Sequence, residues 1–235
     1  MLAQITRLDS PIDVMYLMHK AFEAQSERTE ALAAEAQKGG SLDEFTEAFN
    51  FWITQLLYHA ETEDKYMTGP LTDSQPARDN ETEHDELRAQ GGEIIEFMAK
   101  GDTAGLADNV KGAMAALEEE QHRELVAAAQ EVEDVLKQAI GEDRVVARTR
   151  RHLFRRVMAL RVLEFDHFEN EEAFVLPLVK EQMAGPKELE LARRLLIDDD
   201  AEDPRWIINW VNSELNPTEQ NLLQELEAQF SSPTA

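Results

Sequence analysis

The sequence predicts an all-α protein, an up-and-down bundle of four to five long helices with a short helical C-terminal extension. Three observations carry that expectation. Glycine and proline are sparse, 10 and 8 in 235 residues, too few for the many turns of an all-β fold. Ala, Leu, Glu and Gln dominate instead, and these are good helix formers. The apolar residues belong to a 43% hydrophobic content that can fill a sizeable core, and they recur at alternating steps of four and three.

The first helix is expected from about Asp9 to Gln37, opened by Ser10-Pro11 and closed by Gly39-Gly40. Ser41 caps the second, with Glu44 three residues on completing a capping box, and that helix is expected to reach about Met67. The stretch from Gly69 to Asn80 is rich in Pro, Asp, Thr and Ser and reads as a loop. A third helix is expected from about Glu81 to Lys100. After the turn Gly101-Asp102-Thr103, a fourth runs to about Ile140, and after Gly141 a fifth runs from about Asp143 to Met183. These elements make residues 1–184 a metal-binding bundle, for reasons given below.

Residues 185–235 differ in composition and read as a helical extension packed on the bundle. Its helices are expected from about Pro186 to Ile197, Pro204 to Leu215 and Pro217 to Phe230. Asp198-Asp199-Asp200 separates the first two, and Asn216-Pro217 is an N-cap with proline at the first helical position. Trp206 and Trp210, four apart, are expected to pack this tail down. No full-length internal repeat is found.

A formal net charge of −25 opposes nucleic acid and anionic membranes as partners. With no cysteine there are no disulfides, thiolate metal sites, iron–sulfur clusters or cysteine nucleophiles. The N-terminal residues show no signal-peptide pattern, and no apolar run approaches membrane-spanning length. The expected compartment is the cytoplasm.

The chemistry sits in two helices. In the second, Phe45, Phe49, Trp52, Leu56, His59, Glu63 and Tyr66 form one inward stripe. In the fifth, Leu153, Val157, Leu160, Glu164, His167, Glu171, Phe174 and Leu178 repeat the pattern. A charged group in a core is costly unless it is paired or binds a metal. Each stripe carries a His and a Glu four residues apart, on one helical face one turn apart. The first helix adds His19, on the stripe Ile12, Met15, His19, Phe22. The third adds His84, about 60° off the face of Leu87, Ile94 and Met98. The fourth adds His122, roughly a quarter-turn off the stripe of Val110, Met114, Leu117 and Leu125. The run from Glu118 to Arg123 reads equally as a solvated face.

Counting residues from each connecting turn puts the five histidines within about 1 to 6 residues of one level, roughly 2 to 9 Å. His152 would lie about 22 Å from His167 along the same helix and is excluded. It sits among Arg148, Arg150, Arg151, Arg155 and Arg156, read as a salt-bridged surface. Five imidazoles and two carboxylates suit two transition-metal ions, with imidazoles as terminal ligands and carboxylates able to bridge.

The segment Asp166-His167-Phe168-Glu169-Asn170-Glu171-Glu172-Ala173-Phe174-Val175-Leu176-Pro177-Leu178 resembles the His-x3-Glu signature of the hemerythrin/HHE cation-binding family. His59-Ala60-Glu61-Thr62-Glu63, followed by Gly69-Pro70-Leu71, is similar to a second copy, and His19 and Glu83-His84 match the single histidines of the first and third helices. The resemblance spans about Pro11 to Met183. It implies a helix bundle around two oxo- or hydroxo-bridged irons, with Glu63 and Glu171 bridging and one open coordination position. Zinc and manganese rank behind iron. The implied partners are dioxygen, peroxide or nitric oxide, with binding, sensing or storage of dioxygen ahead of a redox enzyme and of a structural or regulatory bundle. A protein partner is not identifiable from sequence.

The chain departs from the oxygen-carrier pattern, which has His-x3-His on the third helix. Here Arg88 stands four after His84, and Val126 four after His122. Whether Glu118, Glu119 or Glu164 joins the metal shell stays open. Glu164 reads first as a structural partner of an arginine or of a ligand's imidazole N–H. Tyr58 and Tyr66 are the nearby phenols of interest for redox chemistry.

Overall fold

The computed structural model describes residues 5–71, 73–100, 142–183 and 185–230, and among these there are helices and turns but no strand. A 3-10 turn, Pro11–Asp13, leads into α1, Val14–Gln37. The second helix, α2, is Leu42–Glu63 and continues through a π-helical turn, Asp64–Thr68, and a 3-10 turn, Gly69–Leu71. Next comes α3, Gln75–Lys100. Then α4, Glu142–Asn170, passes through another π-helical turn, Glu171–Val175, into α5, Leu176–Gln182. The C-terminal part holds α6, Pro186–Leu196, α7, Trp206–Glu214, and α8, Pro217–Phe230. The expected fourth helix, with His122, Glu118 and Glu119, lies outside the described residues.

The ends of these helices follow local rules. Gly39 has φ +104° and closes α1, with Gly39 N–H donating to the Ala36 carbonyl and Gly40 N–H to that of Glu35. The Ser41 hydroxyl accepts the Glu44 N–H at 3.3 Å. Asn216 Oδ1 accepts the N–H groups of Thr218 and Glu219, at 2.9 and 3.2 Å. Asn216→Ala is therefore expected to destabilise the protein by about 1 kcal/mol, read from the denaturation midpoint, without changing any metal content.

One boundary differs from expectation. The start of α3 is Gln75 rather than about Glu81, so the second half of the stretch read as loop is helix. The reason is positional: Pro76 falls in the first turn, where its missing N–H has no helical partner in any case.

The chain divides into two compact units. One comprises Met1–Ser26, Gln55–Leu87 and Val162–Ala235, the other Glu27–Thr54 and Arg88–Arg161. In the second, Phe45, Phe49, Trp52, Ile94, Val157 and Leu160 are buried. Gly91 allows a close approach there, since a Cβ on it would sit 2.4 Å from Ile53 Cδ1. Arg150 donates to the Ala36 and Gly40 carbonyls, and Arg156 pairs with Glu93 at 2.6 Å. His152 accepts from Arg156 Nε at 2.9 Å, in keeping with its reading as part of an arginine-rich surface.

The first unit gathers the start of α1, the end of α2, the start of α3 and the end of α4 with the C-terminal helices. Trp210 packs edge-on against Phe22 at 4.8 Å, and Trp206 against Tyr58 at 5.3 Å. Trp206 Nε1 donates to Asp198, and the Tyr58 hydroxyl to the Arg194 carbonyl at 2.8 Å. Burial, and then the negative charge of Asp198, push the phenol up to about 12, so Tyr58 is a packing anchor. Among the described residues no helix is long and apolar enough to cross a membrane.

The two π-helical turns correct both stripes. A regular α-helix would bring Tyr66 and Phe174 onto the inward face three residues after Glu63 and Glu171. Instead each wide turn inserts one residue's worth of rotation. Met67 and Val175 take the buried positions, while Tyr66 is half-exposed and Phe174 is 59% exposed. Leu178 likewise yields to Val179. A proline follows each turn, Pro70 and Pro177, and neither can donate the hydrogen bond a regular helix would require of it. The widened turn absorbs that defect directly beyond the two glutamates.

Candidate metal centre

Inside the first unit, four helices bring one charged layer together. The inward stripe of the 3-10 turn and α1 is Ile12, Met15, His19, Phe22, all buried. His59 and Glu63 come from α2, and His167 comes from α4, with Glu171 opening the turn beyond it. His84 on α3 lies squarely on the buried face, not at its margin, because that face runs Ala77, Asn80, His84, Leu87 and leads on through Gly91. All six ionisable groups are at most 2% exposed.

Their donor atoms form two groups that share a member. One is His19, His59, Glu63 and Glu171, the other Glu63, His84 and His167, and within each the ligand atoms lie within 4.8 Å of one another. Glu63 Oε1 is 2.9 Å from His59 Nε2, and Oε2 is 3.0 Å from His84 Nε2. His19 Nε2 lies 3.2 Å from Glu171 Oε2, and His84 Nε2 lies 3.0 Å from His167 Nε2. Thus each of these four histidines turns Nε2 inward.

Behind the rings stand carboxylates. His84 Nδ1 is 2.6 Å from Asp64 Oδ1, His19 Nδ1 is 2.8 Å from Glu172 Oε1, and His167 Nδ1 is 2.9 Å from Glu83 Oε2. An ionised carboxylate only accepts, so these Nδ1 atoms carry protons and Nε2 is the atom left for a metal. Asn170 Nδ2 also donates to Glu83, at 2.9 Å. Sequence reasoning did not assign roles to Asp64, Glu83 and Glu172. The signal was nonetheless there: an acidic residue follows each Glu of the two His-x3-Glu motifs. Phe168, also unassigned, stacks on the His19 ring at 4.0 Å.

Electrostatics within the cluster are strong. Burial pushes His19 and His84 down, but facing carboxylates overcome it. Glu171 and Glu172 raise His19 to about 9, and Asp64 and Glu63 raise His84 to about 10. Burial pushes Glu63 up, yet His59 and His84 hold it well below the usual carboxylate range.

The donor set fits a metal. His19 Nε2, His59 Nε2 and both oxygens of Glu63 and of Glu171 are buried without a hydrogen-bond partner. They lie at ion-pair distance, but not at hydrogen-bonding angles. Buried polar atoms are normally satisfied, and each that is not costs roughly 1–3 kcal/mol. Six of them converging in one layer, imidazole and carboxylate only, match the ligand preference of iron, zinc or manganese. Glu164 is buried on α4 but belongs to neither donor group.

Residues 10–120 match the family model for the Hemerythrin HHE cation binding domain. No curated protein and no solved structure matches the chain. The resemblance to the hemerythrin/HHE family is therefore shown over the segment holding His19, His59, Glu63 and His84. His167 and Glu171 lie beyond the matched residues, and it is the fold that brings them to the same layer.

Proposed function

We propose, proceeding from that family match, that the cluster holds two iron ions and binds dioxygen or a related small ligand. His19, His59, Glu63, His84, His167 and Glu171 are the proposed ligands, in a bundle of residues 1–184 extended by residues 185–235. His122, expected as a fifth histidine ligand, lies outside the described residues. The observation that carries the reading is the sharing of Glu63 by two buried donor groups, its two oxygens facing different histidines. A carboxylate so placed can serve two cations at once.

When bound, two irons supply the electrons and open coordination that dioxygen chemistry needs. The chain's own residues do the rest. The four imidazoles present Nε2 from four helices, and Asp64, Glu83 and Glu172 fix three of the rings. Phe22 and Phe168 wall the His59 side and exclude water, at 5.0 and 5.9 Å from its ring. The negative charges behind the rings offset the charge of two cations.

Metal analysis with optical spectra of reduced and then air-exposed protein tests this. The expected result is about two irons per chain, the simple consequence of two donor groups, with near-ultraviolet and visible bands appearing in air. Bands that reverse when oxygen is removed support a carrier or sensor, and a sensor would act through a separate partner. Turnover of peroxide or nitric oxide would make it an enzyme instead. Colourless, redox-silent protein would overturn the iron reading.

A further inference from the structure

The cluster has an approximate two-fold arrangement, and one contact is missing from it. His84 is backed by the residue after Glu63, which is Asp64, and His19 by the residue after Glu171, which is Glu172. His167 is backed by the residue before His84, which is Glu83. The same relation gives His59 the residue before His19, and that residue is Met18. Met18 is buried, at 1% exposed, and its thioether is only a weak acceptor. Correspondingly, His59 Nδ1 is buried without a hydrogen-bond partner. The difference extends one turn further. Asn80, four before His84, is buried with both amide atoms unpartnered, whereas Met15 holds the matching position before His19.

We infer that Met18 makes the two metal positions unequal, leaving His59 the least supported ligand and the ion it helps hold the more readily released. This rests on the metal-centre reading above. An imidazole that gives its Nδ1–H to a carboxylate is fixed in tautomer and orientation, and is a better base at Nε2. Three of the four rings have this support. His59 has no such partner at Nδ1, so nothing there fixes its ring in orientation or tautomer. Losing such a backing group typically costs 10–100-fold in affinity. Glu171 also lies within reach of the His59 position, and it is common to every variant compared, so the effect of the missing carboxylate is read against a constant donor set.

Anaerobic titration of metal-free protein with ferrous iron, and of loaded protein with a ferrous chelator, tests this with far-UV circular dichroism as the fold check. Wild type is expected to take up two unequal equivalents. His59→Ala is expected to lose the weaker and keep the tighter. Met18→Glu, similar in length to methionine, is expected to tighten the weaker equivalent by about 10–100-fold and leave the other alone. Should that carboxylate prevent folding, Met18→Gln supplies a neutral acceptor with the same expected direction. Glu83→Gln, at a side chain 25% exposed, is expected to weaken the tighter equivalent and bring the two together. Two equal equivalents in wild type, or unchanged affinities in the Met18 and Glu83 variants, overturn the inference. No iron uptake by wild type overturns the metal-centre reading with it.

Discussion

Glu63→Ala is expected to abolish binding of both proposed metal ions at once, the largest effect of any single substitution. Both donor groups contain this carboxylate, one oxygen toward His59 and one toward His84, so its loss dismantles two positions together. Glu171→Ala is expected to lose first the ion shared with His19 and His59, because Glu171 belongs to that group. The metal-free fold suffers as well. Glu63 is fully buried, and His59 and His84 hold its carboxyl well below the usual range, so the charged form is favoured where it sits. Removing one partner of such a buried pair costs roughly 3–5 kcal/mol. For a chain of this size that lowers the melting temperature by roughly 6–20 °C. His152→Ala is the control, since His152 is exposed and bonded to Arg156. Metal content and melting curves of these variants check the assignment. Equal metal content in Glu63→Ala and His152→Ala would sink it.

Metal removal is expected to produce the second large effect, and that effect should grow with pH. A ligand present at about a thousand times its dissociation constant stabilises a fold by roughly 4 kcal/mol per site. For this size of protein each site is worth roughly 8–16 °C in melting temperature. Protons compete for the same atoms. Without metal, His19 and His84 are held protonated up to about 9 and about 10. A cation reaching Nε2 must displace those protons, so its affinity rises as pH climbs toward that range. The metal-free fold moves oppositely. Because both histidines are raised above their unfolded value of about 6.5, their stabilisation is complete below that pH and lost as pH passes 9 to 10. Melting curves with and without chelator, taken between pH 6.5 and 10, should therefore diverge. Curves that stay parallel would mean the protonated histidines are not where the metal binds.

Much of the candidate site was legible because ionisable groups that face inward from a helix obey helical spacing. His59 with Glu63 and His167 with Glu171 sit four apart in apolar stripes, a cost that only pairing or a metal offsets. His19 was visible for the same reason. The sequence puts His84 about 60° off the face centre because Leu87, Ile94 and Met98 alone mark that face; Gly91 and Asn80, which widen it to include His84, do not register as core residues. Glycine there is a matter of close approach to Ile53, and Asn80 is a polar residue buried against its type. The roles of Asp64, Glu83 and Glu172 went unassigned for a different reason, although an acidic residue does follow each motif Glu. A carboxylate that backs a histidine of another helix has no periodic mark of its own.

The sequence by itself determined the all-helical class, the helix ends with strong caps, and which residue types carry the chemistry. These depend on contacts within about four residues along the chain, where propensity, capping and side-chain period act directly. Only the tertiary structure decided that Glu63 faces two histidines at once, that Met67 and Val175 displace Tyr66 and Phe174 from the core, and that, among the described residues, His59 is the one histidine of the cluster without a carboxylate behind its ring. Each of those turns on rotation about a helix axis by a fraction of a turn, or on which residue a neighbouring helix presents at the same level. Pattern along one helix cannot supply either, because both are fixed by packing against the others.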